Sequence, residues 1–145
     1  MHLEGPGATE ALGRALAAQV RSGDVIALFG DLGAGKTTLA RGILAGLGHQ
    51  GEVASPTFPI VIPYDSLLVP VWHVDLYRIE EAAAVRELAL DEALEDGALI
   101  VEWPERLGDG LWPQALRLTL RRQGEGARAL TAEVPAAWEA RWPPR

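Results

Sequence analysis

The chain has 145 residues and no cysteine, with 48% apolar residues, 23% charged residues and a formal net charge of −7. This size and balance predict one globular domain spanning residues 1–145, and they exclude a disulfide framework or a thiolate metal site. The negative charge argues against a broad nucleic-acid surface, the short apolar runs argue against a membrane segment, and the lack of a secretory signal and of cysteine favours the cytoplasm.

The first two predicted elements are a helix and a strand. Residues 9–21 place Leu12, Leu16 and Val20 four positions apart, which predicts a helix with one apolar face packed on a sheet. The apolar run VIALF then predicts a short strand beginning at Val25.

Residues 30–37, GDLGAGKT, have the spacing of a phosphate-binding loop between this strand and a helix that opens near Lys36. The three glycines let backbone N–H groups approach phosphate oxygens, and the start of a helix favours an anion. Lys36, the only lysine of the chain, can reach the outer phosphates, and the Thr37 hydroxyl can ligate Mg²⁺. The alternative is a glycine-rich turn that binds nothing.

The helix that follows the loop is predicted to continue over residues 38–47 and to end at Gly48, with four residues facing inward: Leu39, Ile43, Leu44 and Leu47. Residues 59–64 contain two prolines, so they predict an edge strand or an irregular loop. Thr57 lies in the preceding segment, where many nucleotide hydrolases keep a residue that senses the outer phosphate. A plain turn is the alternative for Thr57.

Two later strands are predicted to end in carboxylates. Residues 69–76 predict a strand with Asp75 at its end, where an acidic side chain can hold a metal ion or its bound water. His73 in that strand is expected to pack or to form a hydrogen bond rather than to ligate. Glu102 ends the buried strand that Pro104 closes, and a carboxylate there needs a partner or a metal.

The rest of the chain predicts a helix, a hairpin and a tail. Residues 80–95 have acidic residues in the first turn and an inward apolar stripe, which indicates a helix with a solvated acidic face. Residues 116–120 and 127–134 alternate apolar and polar side chains around a glycine-rich turn, which indicates an antiparallel hairpin. The tail, residues 135–145, is expected to pack on the surface or to be mobile.

Four motifs together resemble those of the TsaE family, formerly YjeE. They are GDLGAGKTT at residues 30–38, SPTF at 55–58, HVDLYR at 73–78 and VEWPER at 101–106. The resemblance extends over nearly the whole chain, in order and at fitting spacings. Members of this family are small bacterial ATPases needed to form threonylcarbamoyladenosine in tRNA.

The resemblance implies a fold and a set of site residues. The expected fold is of the α/β class, a single P-loop NTPase domain in three layers, with a mixed central sheet and the C-terminal antiparallel hairpin. ATP or ADP would be bound with Mg²⁺, the metal by Thr37 and Glu102 with Asp75 as second carboxylate. Thr57 and Trp103 would lie in a switch-like region near the site. The loop residues expected to bind the phosphates are Leu32, Gly33, Ala34, Gly35, Lys36, Thr37 and Thr38.

The resemblance also implies partners. TsaE proteins hydrolyse ATP poorly alone and act on a complex of TsaD with TsaB, which they are thought to reset between rounds, so tRNA would be met only through that complex. The sequence shows no clear catalytic base or arginine finger, so a partner is expected to complete the site, for instance by positioning Thr57 or Arg78. The rivals are a small-molecule kinase and a nucleotide-gated binding module without turnover. The residues expected to act in hydrolysis are Lys36, Thr57, Asp75 and Glu102.

Overall fold

The computed structural model describes residues 1–53, 61–79, 89–107 and 112–144. Its strands are β1 (His2–Glu4), β2 (Val25–Phe29), β3 (Val61–Tyr64), β4 (Val71–Asp75), β5 (Ala98–Glu102), β6 (Leu116–Gln123) and β7 (Ala127–Glu133). Its α-helices are α1 (Gly5–Ala17), α2 (Lys36–Gly46) and α3 (Leu90–Asp96), and two short 3₁₀ helices cover Pro104–Leu107 and Ala136–Trp138.

The described strands form one mixed sheet in the order β1-β7-β6-β2-β5-β4-β3. The four central strands, β6, β2, β5 and β4, run parallel, whereas β3, β7 and β1 join their neighbours antiparallel. In this register Glu102 lies opposite both Leu28 of β2 and Asp75 of β4. The carboxyl ends of the central strands therefore meet beside the loop that follows β2, where ligands gather in open α/β sheets.

Helices α1 and α2 cover one face of the sheet. They approach each other closely because two glycines leave room: a Cβ on Gly13 would lie 2.5 Å from the carbonyl oxygen of Leu39, and one on Gly42 would collide with the backbone of Glu10. The apolar cluster beneath them includes the fully buried Leu16 and Ile43. This packing fixes the first turn of α2, and with it the end of the phosphate loop.

The opposite face carries a second apolar cluster, which includes Val74, Leu90, Leu99 and Trp112. Together the two covered faces give the three-layer α/β architecture with a mixed sheet and a C-terminal hairpin that the sequence predicts. None of the described helices is long and apolar enough to cross a bilayer.

The first helix differs from its prediction. It spans Gly5–Ala17 rather than residues 9–21, with a proline in its first turn, where the missing N–H is no loss. Val20 lies beyond the helix but is still buried, so the apolar stripe continues into the turn. The three-residue strand β1 was not predicted, because a strand this short is defined by its pairing with β7.

The predicted edge strand is confirmed, since β3 pairs with β4 alone among the described strands and carries Pro63. Of the predicted helix at residues 80–95, residues 80–88 lie outside the described residues, and α3 begins at Leu90. The SPTF motif and Thr57 also lie outside the described residues.

The C-terminal tail packs against the rest of the domain, the first of the two alternatives that the sequence left open, and it does so through two buried side chains. Trp138 is fully buried, and Arg141 is 7% exposed. The Arg141 guanidinium donates hydrogen bonds to both carboxylate oxygens of Asp24, at 2.6 and 3.0 Å, and to the carbonyl oxygen of Gln19 at 2.7 Å. A buried ion pair with this geometry ties the tail to the turn before β2.

Candidate functional site

The phosphate loop joins β2 to α2 through backbone conformations that favour glycine. Gly30, Gly33 and Gly35 have φ angles of +144°, +76° and +107°. A Cβ on Gly30 would also lie 2.6 Å from the carbonyl oxygen of Leu120 in β6. The loop therefore needs glycine at these positions to turn and to pass close to the neighbouring strand.

The loop presents backbone donors that are not used within the protein. In the part of the chain that the structure describes, the N–H groups of Gly33, Gly35, Lys36 and Thr37 have no hydrogen-bond acceptor. They stand where α2 begins, and the helix adds the partial positive charge of its N-terminus. Such an array favours an anion with several oxygens, as a phosphate group has.

Lys36 is held at the start of the loop. Its side chain donates a hydrogen bond to the carbonyl oxygen of Gly30, and its Nζ lies 3.6 Å from the ring centroid of Trp103. Lys36 is 5% exposed, and this burial lowers the pKa of its ammonium group, against the opposing effect of Glu102 and other nearby carboxylates. A bound anion would stabilise the protonated, positively charged form of this group.

Thr37, Glu102 and His73 form a buried hydrogen-bonded chain. The Thr37 hydroxyl lies 3.2 and 3.3 Å from the two carboxylate oxygens of Glu102. The His73 Nε2 lies 2.6 Å from Oε2 of the same carboxylate, and Glu102 and His73 are 3% and 0% exposed. His73 Nδ1 has no partner among the described residues. Because a carboxylate accepts, the imidazole must carry its hydrogen on Nε2, and His73 forms the hydrogen bond expected of it.

Asp75 lies beside Glu102, as their paired register requires. Asp75 is 6% exposed, and its Oδ1 accepts a hydrogen bond of 2.9 Å from the backbone N–H of Tyr77. The Tyr77 ring packs on Trp103 with a centroid distance of 4.8 Å, while Arg78 is exposed in the same turn. The structure thus places both strand-end carboxylates next to the loop.

These groups surround a cleft of about 230 Å³. Leu32 is 62% exposed, whereas Ala34 is 2% exposed and its N–H already donates to the carbonyl oxygen of Asp31 at 3.1 Å. The residues that line the cleft are Leu32, Gly33, Gly35, Lys36, Thr37, Thr38, Asp75, Glu102, Trp103 and Arg128.

The oxygen donors of the cleft suit magnesium. A threonine hydroxyl and two carboxylates are the hard ligands that Mg²⁺ takes, and Mg²⁺ commonly completes its shell with water and with phosphate oxygens of a nucleotide. No group of three or more His, Cys, Asp or Glu side chains within the described residues could enclose a metal by itself. A metal at Thr37 and Glu102 would therefore depend on oxygens from the ligand.

Two residues of the site were missed by the sequence reasoning. Arg122 and Arg128, on either side of the β6–β7 turn, both donate hydrogen bonds to carbonyl oxygens of the phosphate loop. The hydrogen-bonded residues are separated by 90 to 95 positions in the sequence, so no local pattern indicates the contact. The nearest signal is the pair of arginines flanking a predicted turn.

Comparison with known proteins gives the family. The family model described as "Threonylcarbamoyl adenosine biosynthesis protein TsaE" matches residues 3–130. The chain is 39% identical over 127 residues to the TsaE protein of Bacillus subtilis, covering 87% of this chain and 79% of that protein. It is 46% identical over 114 residues to the TsaE protein of Streptomyces coelicolor, covering 77% of each.

A solved structure agrees with the sequence matches. The crystal structure of YdiB from Bacillus subtilis superposes with a TM-score of 0.82 and 33% sequence identity, covering 97% of this chain and 88% of that one. A family model that matches most of the chain, relatives of this identity and the shared P-loop NTPase-like fold lead to one conclusion. The chain belongs to the TsaE family.

Proposed function

We propose that this protein binds ATP with Mg²⁺, hydrolyses it slowly on its own, and serves threonylcarbamoyladenosine (t6A) formation in tRNA by acting on a TsaD–TsaB complex. Family membership supports the pathway, since the relatives are named as tRNA threonylcarbamoyladenosine biosynthesis proteins. Nucleotide binding is supported by one observation. Backbone N–H groups without an acceptor among the described residues, one ammonium group and a strand-end carboxylate converge on one cleft.

The loop would bind the phosphates of ATP or ADP. The free N–H groups of Gly33, Gly35, Lys36 and Thr37 supply several donors at once, and Lys36 supplies a full positive charge. Since Lys36 is the only lysine of the chain, no neighbouring lysine can replace it. We therefore assign nucleotide binding to residues 32–38.

Thr37 and Glu102 would hold the magnesium ion, with Asp75 as second carboxylate. When bound, Mg²⁺ would neutralise charge that develops on the outer phosphates during transfer to water. His73 donates its hydrogen bond to one carboxylate oxygen of Glu102 and so fixes the carboxyl group at the edge of the cleft. The Thr37 hydroxyl, which already contacts this carboxylate, would be the second protein ligand of that ion.

A slow intrinsic rate follows from what lines the cleft. Among the described residues of its lining, the carboxylates are Asp75 and Glu102, both assigned here to the metal. Hydrolysis also needs a group that orients water and positive charge for the outer phosphate. We propose that the TsaD–TsaB complex completes the site, for instance by ordering Thr57 or Arg78, and that tRNA is contacted through that complex, in the cytoplasm.

The test is ATP turnover by the purified protein, alone and with TsaB and TsaD. We expect tight ADP binding by the protein alone, slow phosphate release, and faster release with both partners. Rates that the partners leave unchanged would contradict the proposed partnership. Nucleotide binding without any phosphate release would favour a nucleotide-gated module, and phosphate transfer to a small molecule would favour a kinase.

A further inference from the structure

The β6–β7 hairpin braces the phosphate loop with two arginine side chains. Arg128 donates from Nε to the carbonyl oxygen of Ala34 at 2.8 Å and from Nη2 to that of Gly33 at 3.2 Å. Arg122 donates from Nη2 to the carbonyl oxygen of Leu32 at 3.2 Å. Three consecutive carbonyl groups of the loop are thus held from the hairpin.

The two arginines form a cross-strand pair of like charges, which is unfavourable unless other contacts compensate for it. Arg122 lies opposite Arg128 in the β6–β7 register, and like charges in such a pair repel. Each guanidinium finds separate oxygen acceptors on the loop, and Arg128 also donates from Nη1 to the carbonyl oxygen of Ala127 at 2.8 Å. The loop carbonyls therefore explain how the two cations are accommodated side by side.

The hairpin is itself a firm support. Strand β6 is paired on both sides, with β2 and β7, and β7 is paired with β1, where Leu3 lies opposite Arg128. The start of the loop packs on β6 as well, through the close approach of Gly30 to the Leu120 carbonyl. A Cβ on Gly33 would lie too close to Nη2 of Arg122, so a larger residue at this position would displace the guanidinium.

Holding these carbonyls also aims the amides. In a trans peptide unit the N–H points opposite to the C=O, so the carbonyls of Leu32 and Ala34 fix the direction of the N–H groups of Gly33 and Gly35. Those two N–H groups are free within the described part of the chain, whereas that of Ala34 donates to the Asp31 carbonyl at 3.1 Å. Donors held in place before binding lose less freedom when the ligand arrives.

We propose that Arg128, assisted by Arg122, is a positioning residue that keeps the phosphate loop in its anion-binding conformation when no nucleotide is bound. The inference rests on the proposed function in taking the anion to be a nucleotide phosphate. Arg128 also lines the cleft, so it could instead contact the outer phosphate directly during hydrolysis. The test must distinguish this role from the positioning of the loop.

The test compares Arg128→Met and Arg128→Lys with the parent, by calorimetric ADP binding in the presence of Mg²⁺. We expect both variants to bind ADP about tenfold more weakly, which is roughly 1.4 kcal/mol. Lysine keeps the charge but lacks the planar fork that spans two successive carbonyls, so it should not rescue binding. Arg122→Met, at an exposed position with one such hydrogen bond, should lose about threefold.

A second readout separates loop positioning from a loss of fold. Backbone ¹⁵N order parameters of residues 33–35 should fall in nucleotide-free Arg128→Met while those of β2 and β5 stay unchanged. The matched control is Arg117→Met on β6, the strand that carries Arg122, since the Arg117 side chain forms no hydrogen bond among the described residues. This control should bind ADP as the parent does.

Several results would overturn the inference. Parental ADP affinity in Arg128→Lys together with weaker binding in Arg128→Met would mean that charge alone matters. Slower turnover with intact ADP affinity would mean contact with the outer phosphate. Unchanged order parameters in residues 33–35 would remove the positioning role. If Arg128→Met does not fold, the ADP affinities and order parameters of Arg122→Met and Arg128→Lys decide whether the arginines position the loop. A parent protein that binds neither ADP nor ATP would instead refute the proposed function.

Discussion

Replacing His73 tests how the metal ligand is positioned. His73 is fully buried, and its Nε2 donates to Glu102 Oε2 across 2.6 Å. His73→Leu replaces the imidazole with an apolar side chain of similar size and so removes this donor. His73→Gln keeps an N–H donor at the same number of bonds from the backbone, so it should preserve the contact with Glu102.

The two structural consequences of His73→Leu oppose each other. Losing a hydrogen bond to a charged group costs about 1.5–3 kcal/mol, whereas removing the buried Nδ1, which has no partner among the described residues, relieves a penalty of about 1–3 kcal/mol. The two effects nearly cancel at their midpoints, so the free energy of unfolding should change by no more than about 2 kcal/mol in either direction. The carboxyl group of Glu102 loses its orientation, and such outer contacts typically change metal affinity by about 10- to 100-fold.

The assay is ADP binding by calorimetry over a titration of Mg²⁺, with chemical denaturation as the stability control. We expect His73→Leu to require at least about tenfold more Mg²⁺ for half-maximal enhancement of ADP binding. His73→Gln should lie close to the parent, and ADP binding without Mg²⁺ should be the same in all three proteins. A parental Mg²⁺ dependence in His73→Leu would refute the reasoning.

Four further predictions concern the loop, the metal, alkaline pH and the tail. Lys36→Ala should weaken ADP binding by about 100-fold in calorimetry, because a charged partner of the phosphates is lost; a loss below fivefold would contradict its role. Glu102→Gln should remove the Mg²⁺ enhancement of ADP binding but retain metal-free binding, and an unchanged Mg²⁺ titration would count against its assignment. Burial lowers the pKa of Lys36 in the free protein, and bound phosphate would raise it. The affinity for ADP should therefore be greatest below the pKa of the free protein and should fall as the pH rises above it; an ADP affinity that stays constant into the alkaline range would contradict this. Arg141→Met should destabilise the fold by about 3–5 kcal/mol in denaturant unfolding, because Asp24 is left buried without its cation, and a change below 1 kcal/mol would show that the pair is dispensable.

Much of the fold was predictable because its signals are local. The loop that follows β2 is contained in eight consecutive residues, and the strands ending in Asp75 and Glu102 are mainly apolar segments of five residues, each closed by its carboxylate. By contrast, β1 and the buried tail depend on partners far along the chain, such as the pairing of β1 with β7 and the contact of Arg141 with Asp24. No periodicity within either segment indicates such contacts.

The candidate site divides in the same way. The rule that ligands gather at the carboxyl ends of parallel strands brings Asp75 and Glu102 to the loop, and the structure places them there. The sequence predicted that His73 packs or forms a hydrogen bond but did not identify Glu102 as its partner, because that requires the register of β4 against β5. The support from Arg128 depends on how the hairpin folds back on the loop. Thr57 stays a prediction.

The central claim is that free amides, the Lys36 ammonium group and Glu102 converge on one Mg-nucleotide. A crystal structure grown with Mg²⁺ and a non-hydrolysable ATP analogue tests it most directly. The account predicts phosphate oxygens within about 3.2 Å of the backbone nitrogens of Gly33, Gly35, Lys36 and Thr37, and a metal ion bound by the Thr37 hydroxyl beside the Glu102 carboxylate. A loop without phosphate, or a Glu102 side chain turned away from the cation, would contradict the account.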